Sequence, residues 1–115
     1  DTDLKIKSEL LREELMGFEL SKTVINCSRP GETYWEHTHN NSRVVLYYPN
    51  FKWNREWGGE SLFYDSKGKD LIFASEYKPN RMILFNGEIP HSVRAPTYIA
   101  DQYRFTMSFF YKLKQ

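Results

Sequence analysis

The chain has 115 residues, the length of one domain and not two. Sixteen Lys and Arg against 15 Asp and Glu leave a formal charge of +1, so no strong field points to nucleic acid or an acidic membrane. Hydrophobic residues at 40% and charged residues at 27% exclude a disordered chain, and an aromatic share of 17% favours pleated, half-buried surfaces and hence a β-rich fold.

Asp1-Thr2-Asp3 has neither a basic nor an apolar leader character, so no secretory signal is read there. Leu4, Leu11, Leu15 and Phe18 recur at helical spacing among Glu9, Arg12, Glu13 and Glu14, which predicts an amphipathic helix over 3–16 ended by Gly17. Short strands follow, at 22–28, 33–39, 43–48, 60–64, 70–75, 81–86, 90–94 and 102–112. Gly31, Pro49-Asn50, Gly58-Gly59, Gly68, Pro79-Asn80, Gly87 and Pro96 punctuate them. Strands in that number predict an all-β barrel or sandwich over 22–112, within a single domain of 1–115. One helix is thin cover for so aromatic a sheet, hence the expectation of a minimal or N-terminally truncated version. The longest apolar run, Val44 to Tyr48, is far short of the ~20 residues of a membrane span. A lone cysteine, Cys27, fits a reducing compartment. The expectation is a soluble, cytoplasmic domain.

All three histidines form one candidate group. His37 and His39 lie two apart in a strand-like stretch, where residues i and i+2 share a face, so both imidazoles can reach one ion. His91 follows 54 positions after His37 (91 − 37), next to Pro90, at the start of another predicted strand. Three ligands on one side leave open positions on the other, as catalysis requires. The competing reading is that these are structural, hydrogen-bonding histidines; spending two of only three at i, i+2 favours the metal.

In Arg104-Phe105-Thr106-Met107-Ser108-Phe109-Phe110, alternation puts Arg104, Thr106, Ser108 and Phe110 on one face and Phe105, Met107 and Phe109 on the other. A buried guanidinium needs an anion. A carboxylate ligand held by the guanidinium fork, with help from a hydroxyl, fits best. The alternative is an internal salt bridge to Asp101 or Glu60.

From Lys22 to Lys112, about four-fifths of the chain, the order of motifs resembles the prolyl-4-hydroxylase-like iron(II)/2-oxoglutarate dioxygenases, in the variant of phage-encoded and bacterial members. The matching stretches are His37-Thr38-His39 at the HxD site, Leu46-Tyr47-Tyr48-Pro49-Asn50, Trp53, and Glu56-Trp57-Gly58-Gly59-Glu60. They continue through Pro79-Asn80-Arg81-Met82-Ile83-Leu84-Phe85, Pro90-His91-Ser92-Val93-Arg94 and Arg104-Phe105-Thr106. The resemblance implies a double-stranded β-helix, a cupin-like jelly roll. It also implies Fe(II) held by His37 and His91, and 2-oxoglutarate as co-substrate, with ascorbate as a candidate accessory reductant. Arg104 then matches the arginine that pairs with the far carboxylate of 2-oxoglutarate, Tyr48 a tyrosine at the same end, and Thr106 or Ser108 assist. The implied reaction is hydroxylation of a C–H bond in a peptide or small molecule, with release of succinate and CO2.

His39 departs from that family, which has Asp or Glu there. With a carboxylate, Fe(II) and its triad carry +1 and 2-oxoglutarate brings the centre to −1; with three histidines the values are +2 and 0. Three readings follow: His39 as a third ligand, as in cupin-type thiol dioxygenases; a substituted position taken by water or chloride; or His39 as the first histidine with Asn41 opposite. The first is preferred. Gly31 and His37-x-His39 also match the start of a cupin motif, but Arg43 and Val44 stand where its glutamate belongs. The alternative functions are therefore a three-histidine metal dioxygenase that does not use 2-oxoglutarate, and a non-catalytic metal-binding barrel. Trp35 and Phe110 are expected in a dry aromatic lining, and Asn50 to Trp57 as either a substrate-facing loop or one folded back by its tryptophans. Arg94 is left between substrate and a surface acid.

Overall fold

A computed structural model describes residues 9–32 and 34–115 of the protein. In chain order it has a helix α1 (Glu9–Glu14) and strands β1 (Phe18–Ser28), β2 (Arg43–Tyr47), β3 (Ser61–Tyr64), β4 (Leu71–Ser75), β5 (Met82–Asn86), β6 (His91–Val93) and β7 (Arg104–Leu113). The part of the expected helix over 3–8 lies outside the described residues. Gly17, at φ 84°, turns the chain from α1 into β1, a conformation glycine adopts without cost.

All strand pairs are antiparallel. One sheet has the order β1-β7-β2-β5 and the other β4-β3-β6. β1 starts four residues before the expected 22 because β7 is long enough to pair with it from Phe18↔Leu113 to Ser28↔Arg104. The alternation read in β7 holds. Phe109 packs outward with Leu15, Val45 and Tyr111, joined by Phe18, Tyr47, Leu84 and Met107. That cluster lies on the outer face of the four-stranded sheet and is capped by Leu15, in the turn between α1 and β1. Arg43 closes it, stacking over Phe18 at 4.5 Å and donating to the Glu14 carbonyl. The inner face of the same sheet, with Arg104, Thr106, Ser108 and Phe110, looks toward the three-stranded sheet across a cavity.

The expected strand 33–39 is not formed. Among the described residues there, only His37 makes a β-bridge, to His91. The segment is an extended loop fastened at two points: His37 and His91 exchange backbone hydrogen bonds (2.9 and 3.1 Å), and the His39 N–H donates to the Gly87 carbonyl (2.7 Å). One bridge does not make a ladder, but N–H groups two residues apart still point to the same side, so the side-chain alternation of a strand survives locally. No described helix is long and apolar enough to cross a membrane.

Candidate active site

The loop and β6 bring the three histidines together. Ring centroids are 4.9 Å apart for His37–His39, 4.3 Å for His37–His91 and 5.0 Å for His39–His91. One nitrogen from each lies within 4.8 Å of the others, so the trio can hold a metal ion. Two of the rings are anchored from behind by backbone carbonyls. The Nδ1 of His91 is 2.7 Å from the Ile89 carbonyl and that of His37 is 3.3 Å from the Trp35 carbonyl. A carbonyl only accepts, so in each ring Nδ1 carries the proton and Nε2 keeps its lone pair, the form a metal takes. Phe110 meets His39 edge-on at 4.8 Å, and Phe85 meets His91 in the same way at 4.8 Å.

That packing also sets protonation. Burial pushes His91 down to about 4, against the opposing pull of the Ile89 carbonyl, and the neighbouring imidazoles add to the fall. Burial likewise lowers His39, with smaller contributions from His37 and Lys22. Both are therefore neutral near pH 7, as ligands must be.

Arg104 is 1% exposed and stands on β7 six residues before Phe110. Its Nε donates to the Gly59 carbonyl at 2.7 Å and its Nη2 to the Ser61 hydroxyl at 3.1 Å. Tyr77 and Tyr48 flank the guanidinium at 5.3 and 5.6 Å, stacked on each other at 4.3 Å. The expected alternative of an ion pair to Asp101 or Glu60 is not formed among the described residues. Glu60 instead takes Arg94 through both oxygens at 3.1 Å, which also settles Arg94, and Asp101 is exposed. Burial lowers the Arg104 pKa, yet an arginine stays protonated in a protein. The result is a buried cation held by neutral groups.

One cavity of about 430 Å³ is lined both by the three histidines and by Arg104, Thr106, Ser108 and Phe110. Ser61, Phe63, Phe85, Val44, Leu46 and Val93 complete its walls. Sequence reasoning missed Ser61, Phe63 and Phe85. The available signal was inward parity on β3 and β5, which becomes readable only once the pairing of Val44 with Phe85 and of Phe63 with His91 is known.

Two expectations are corrected and one alternative is decided. Tyr48 does not line the cavity: it is fully buried behind Arg104, and its hydroxyl reaches the site only through Ser61, 2.7 Å away. Trp35 lines the mouth but is 81% exposed, so it is no part of a dry interior. The stretch Asn50 to Trp57 folds back and leaves the cavity. The indole N–H of Trp53 donates to the Gly58 carbonyl at 2.9 Å, its ring meets Trp57 at 5.2 Å, and Trp57 is buried.

No curated protein matches the sequence. Among solved structures, the chain is similar to a prolyl hydroxylase from Trichoplax adhaerens, solved with a hypoxia-inducible-factor oxygen-degradation-domain peptide. The identity is 20% and the TM-score 0.62, over 83% of this chain and 46% of that one. A Pseudomonas putida prolyl-4-hydroxylase gives 19%, 0.64, 91% and 59%. A 2OG-Fe(II) oxygenase family oxidoreductase from Burkholderia pseudomallei gives 16%, 0.63, 96% and 56%. The chain thus spans about half the length of these structures, and at such identities they show the fold, a double-stranded β-helix. Residues 23–112 match the family described as the 2OG-Fe(II) oxygenase superfamily, and the chain belongs to it.

Proposed function

We propose that this domain is an Fe(II)- and 2-oxoglutarate-dependent oxygenase that hydroxylates a C–H bond of a peptide or small molecule, releasing succinate and CO2. The single observation that carries this is the shared cavity: a three-imidazole cluster and a buried guanidinium without a carboxylate open into the same space. The donors fit the ion. Imidazole suits divalent iron, and two nitrogens each ~2.1 Å from one ion are at most ~4.2 Å apart, so nitrogens within 4.8 Å of one another need only small ring rotations. The exposed His37 has room to make one. Arg104 fits the far carboxylate of a diacid, which supplies the anion its burial calls for.

Bound together, Fe(II) and 2-oxoglutarate supply oxygen activation and oxidative decarboxylation, which no side chain here performs. The protein does the rest. His37, His39 and His91 would hold the ion, three neutral nitrogen ligands that a catalytic site can complete with substrate. Arg104 orients the diacid with Thr106 and Ser108, whose hydroxyls lie on the same face of β7. Ser61 steadies Arg104, and Tyr48 steadies Ser61. Phe63, Phe85 and Phe110 keep water from the reacting centre. A peptide substrate is supported by the likeness to a hydroxylase solved with a peptide.

Mixing the protein anaerobically with Fe(II) and 2-oxoglutarate tests this. The expected result is a visible charge-transfer band that Arg104→Ala abolishes. No band at saturating ligand overturns the reading, and oxygen uptake with a thiol but without 2-oxoglutarate points to the three-histidine dioxygenase instead.

A further inference from the structure

The cavity's electrostatics are one-sided. Among the described residues, its lining includes two cationic side chains, Arg104 and Lys22, and no Asp or Glu. They stand at opposite ends. On β1, Lys22 is in register with Phe110 and Ser28 with Arg104, and six residues of β7 at ~3.4 Å each separate the two levels by ~20 Å. The histidines lie between. His91 is level with Phe63, two residues along β3 from the Ser61 that bonds Arg104. His39 touches Phe110, and the Lys22 ammonium sits over that same ring at 4.8 Å.

Lys22 faces inward in the unbroken alternation that also brings Val24, Asn26 and Ser28 to the cavity wall. β1 slips its register between Leu20 and Lys22, leaving Ser21 without a partner. The slip flips the residues before it, so that Glu19 rather than Leu20 shares the inner face with Lys22. The nearest acid on the inner face of β1 is Glu19, further out and opposite Lys112 in the ladder. No described carboxylate makes an ion pair with Lys22.

The charges then fail to balance. With histidine at position 39 the ligand set is neutral, so a divalent ion, Arg104 and Lys22 bring four positive charges, of which 2-oxoglutarate cancels two. An ion and Arg104 together account for both carboxylates of that dianion, and Lys22 is left over at the mouth.

We propose that Lys22 is the substrate's receptor, and that the substrate carries an oxyanion, a carboxylate or a phosphate, which docks on Lys22 beside His39 and places the rest of the molecule over the ion. This rests on the oxygenase reading and adds to it the chemical class of the substrate. Trp35, exposed at the same mouth, offers a flat apolar face to the substrate's body.

The test uses the visible spectrum of the Co(II)-loaded protein, saturated with 2-oxoglutarate and titrated with matched pairs. These are N-acetylaspartate and N-acetylglutamate against their amides, and N-acetyl-O-phosphoserine against N-acetylserine. The expected result is that acids perturb the cobalt bands while their neutral partners at equal concentration do not. K22Q should raise the acids' half-saturation about tenfold, the loss of one charge-assisted hydrogen bond, and K22R should restore it. A response to carboxylates alone or to phosphate alone supports the proposal and identifies the oxyanion. Equal responses within every pair, no response to any acid, or an unaltered K22Q titration overturns it. If 2-oxoglutarate itself leaves the cobalt spectrum unchanged, the oxygenase reading fails, and this inference with it.

Discussion

Gly59 carries more of the site than its size suggests. Its φ of 79° is one that side chains resist, and a methyl group there would come within 3.0 Å of the Trp53 ring and 3.1 Å of the Arg104 Cδ. Gly59→Ala should therefore cost ~1–3 kcal/mol of stability and displace the guanidinium that its own carbonyl holds. A thermal melt reads the first effect and a weaker charge-transfer band the second. Among the histidines, the strongest pH signature belongs to His91. Its pKa in the fold, about 4, lies below its ordinary 6.5. Between those values the unfolded chain binds a proton that the native state does not. The contribution of the neutral ring to stability is fully present above pH 6.5 and is lost as the pH falls toward 4. Melting of the metal-free protein should thus drop by several degrees across that window, and His91→Asn should flatten the drop.

At the level of elements, α1 is too short to stabilise itself, and the packing that anchors this end of the chain comes from the turn after it. Leu15, 7% exposed, inserts against Val45, Phe109 and Tyr111. Leu15→Ala should lose ~2–4 kcal/mol in urea denaturation. Because that cluster lies on the outer face of the sheet, the Fe(II)–2-oxoglutarate band of the folded fraction should persist. The elements also explain what a reader of the sequence can and cannot obtain. The spacing of His37 and His39 conveys their common direction whether or not the segment is a strand, since direction needs only extended backbone. Strand identity needs a partner ladder, and the loop has a single bridge. The alternation of β7 is legible for the same reason, with long apolar and polar runs on opposite faces. Lys22 shares its face with Val24, Asn26 and Ser28, but nothing in that stretch marks which face is the inner one until β1 is paired with β7.

For the whole molecule, the site lies between two sheets that the chain enters repeatedly. Its ligands come from a loop, from β6 and from β7, so no single element holds it. An ion on the three histidines would join the 29–42 loop to the β5–β6 end of the barrel, where His39 already leans on Gly87. Fe(II) in excess should raise the melting temperature and a chelator should reverse the gain, by mass action on the native state. An unchanged melt would count against the histidine cluster as a metal centre. The guanidinium of Arg104, meanwhile, is stripped of water and braced by two tyrosines and a carbonyl during folding itself. An arriving diacid meets donors that need neither drying nor reordering, and bulk electrolyte screens so deep a contact only weakly. Its capture should stay nearly indifferent to ionic strength, while recognition at the open mouth weakens as electrolyte is added.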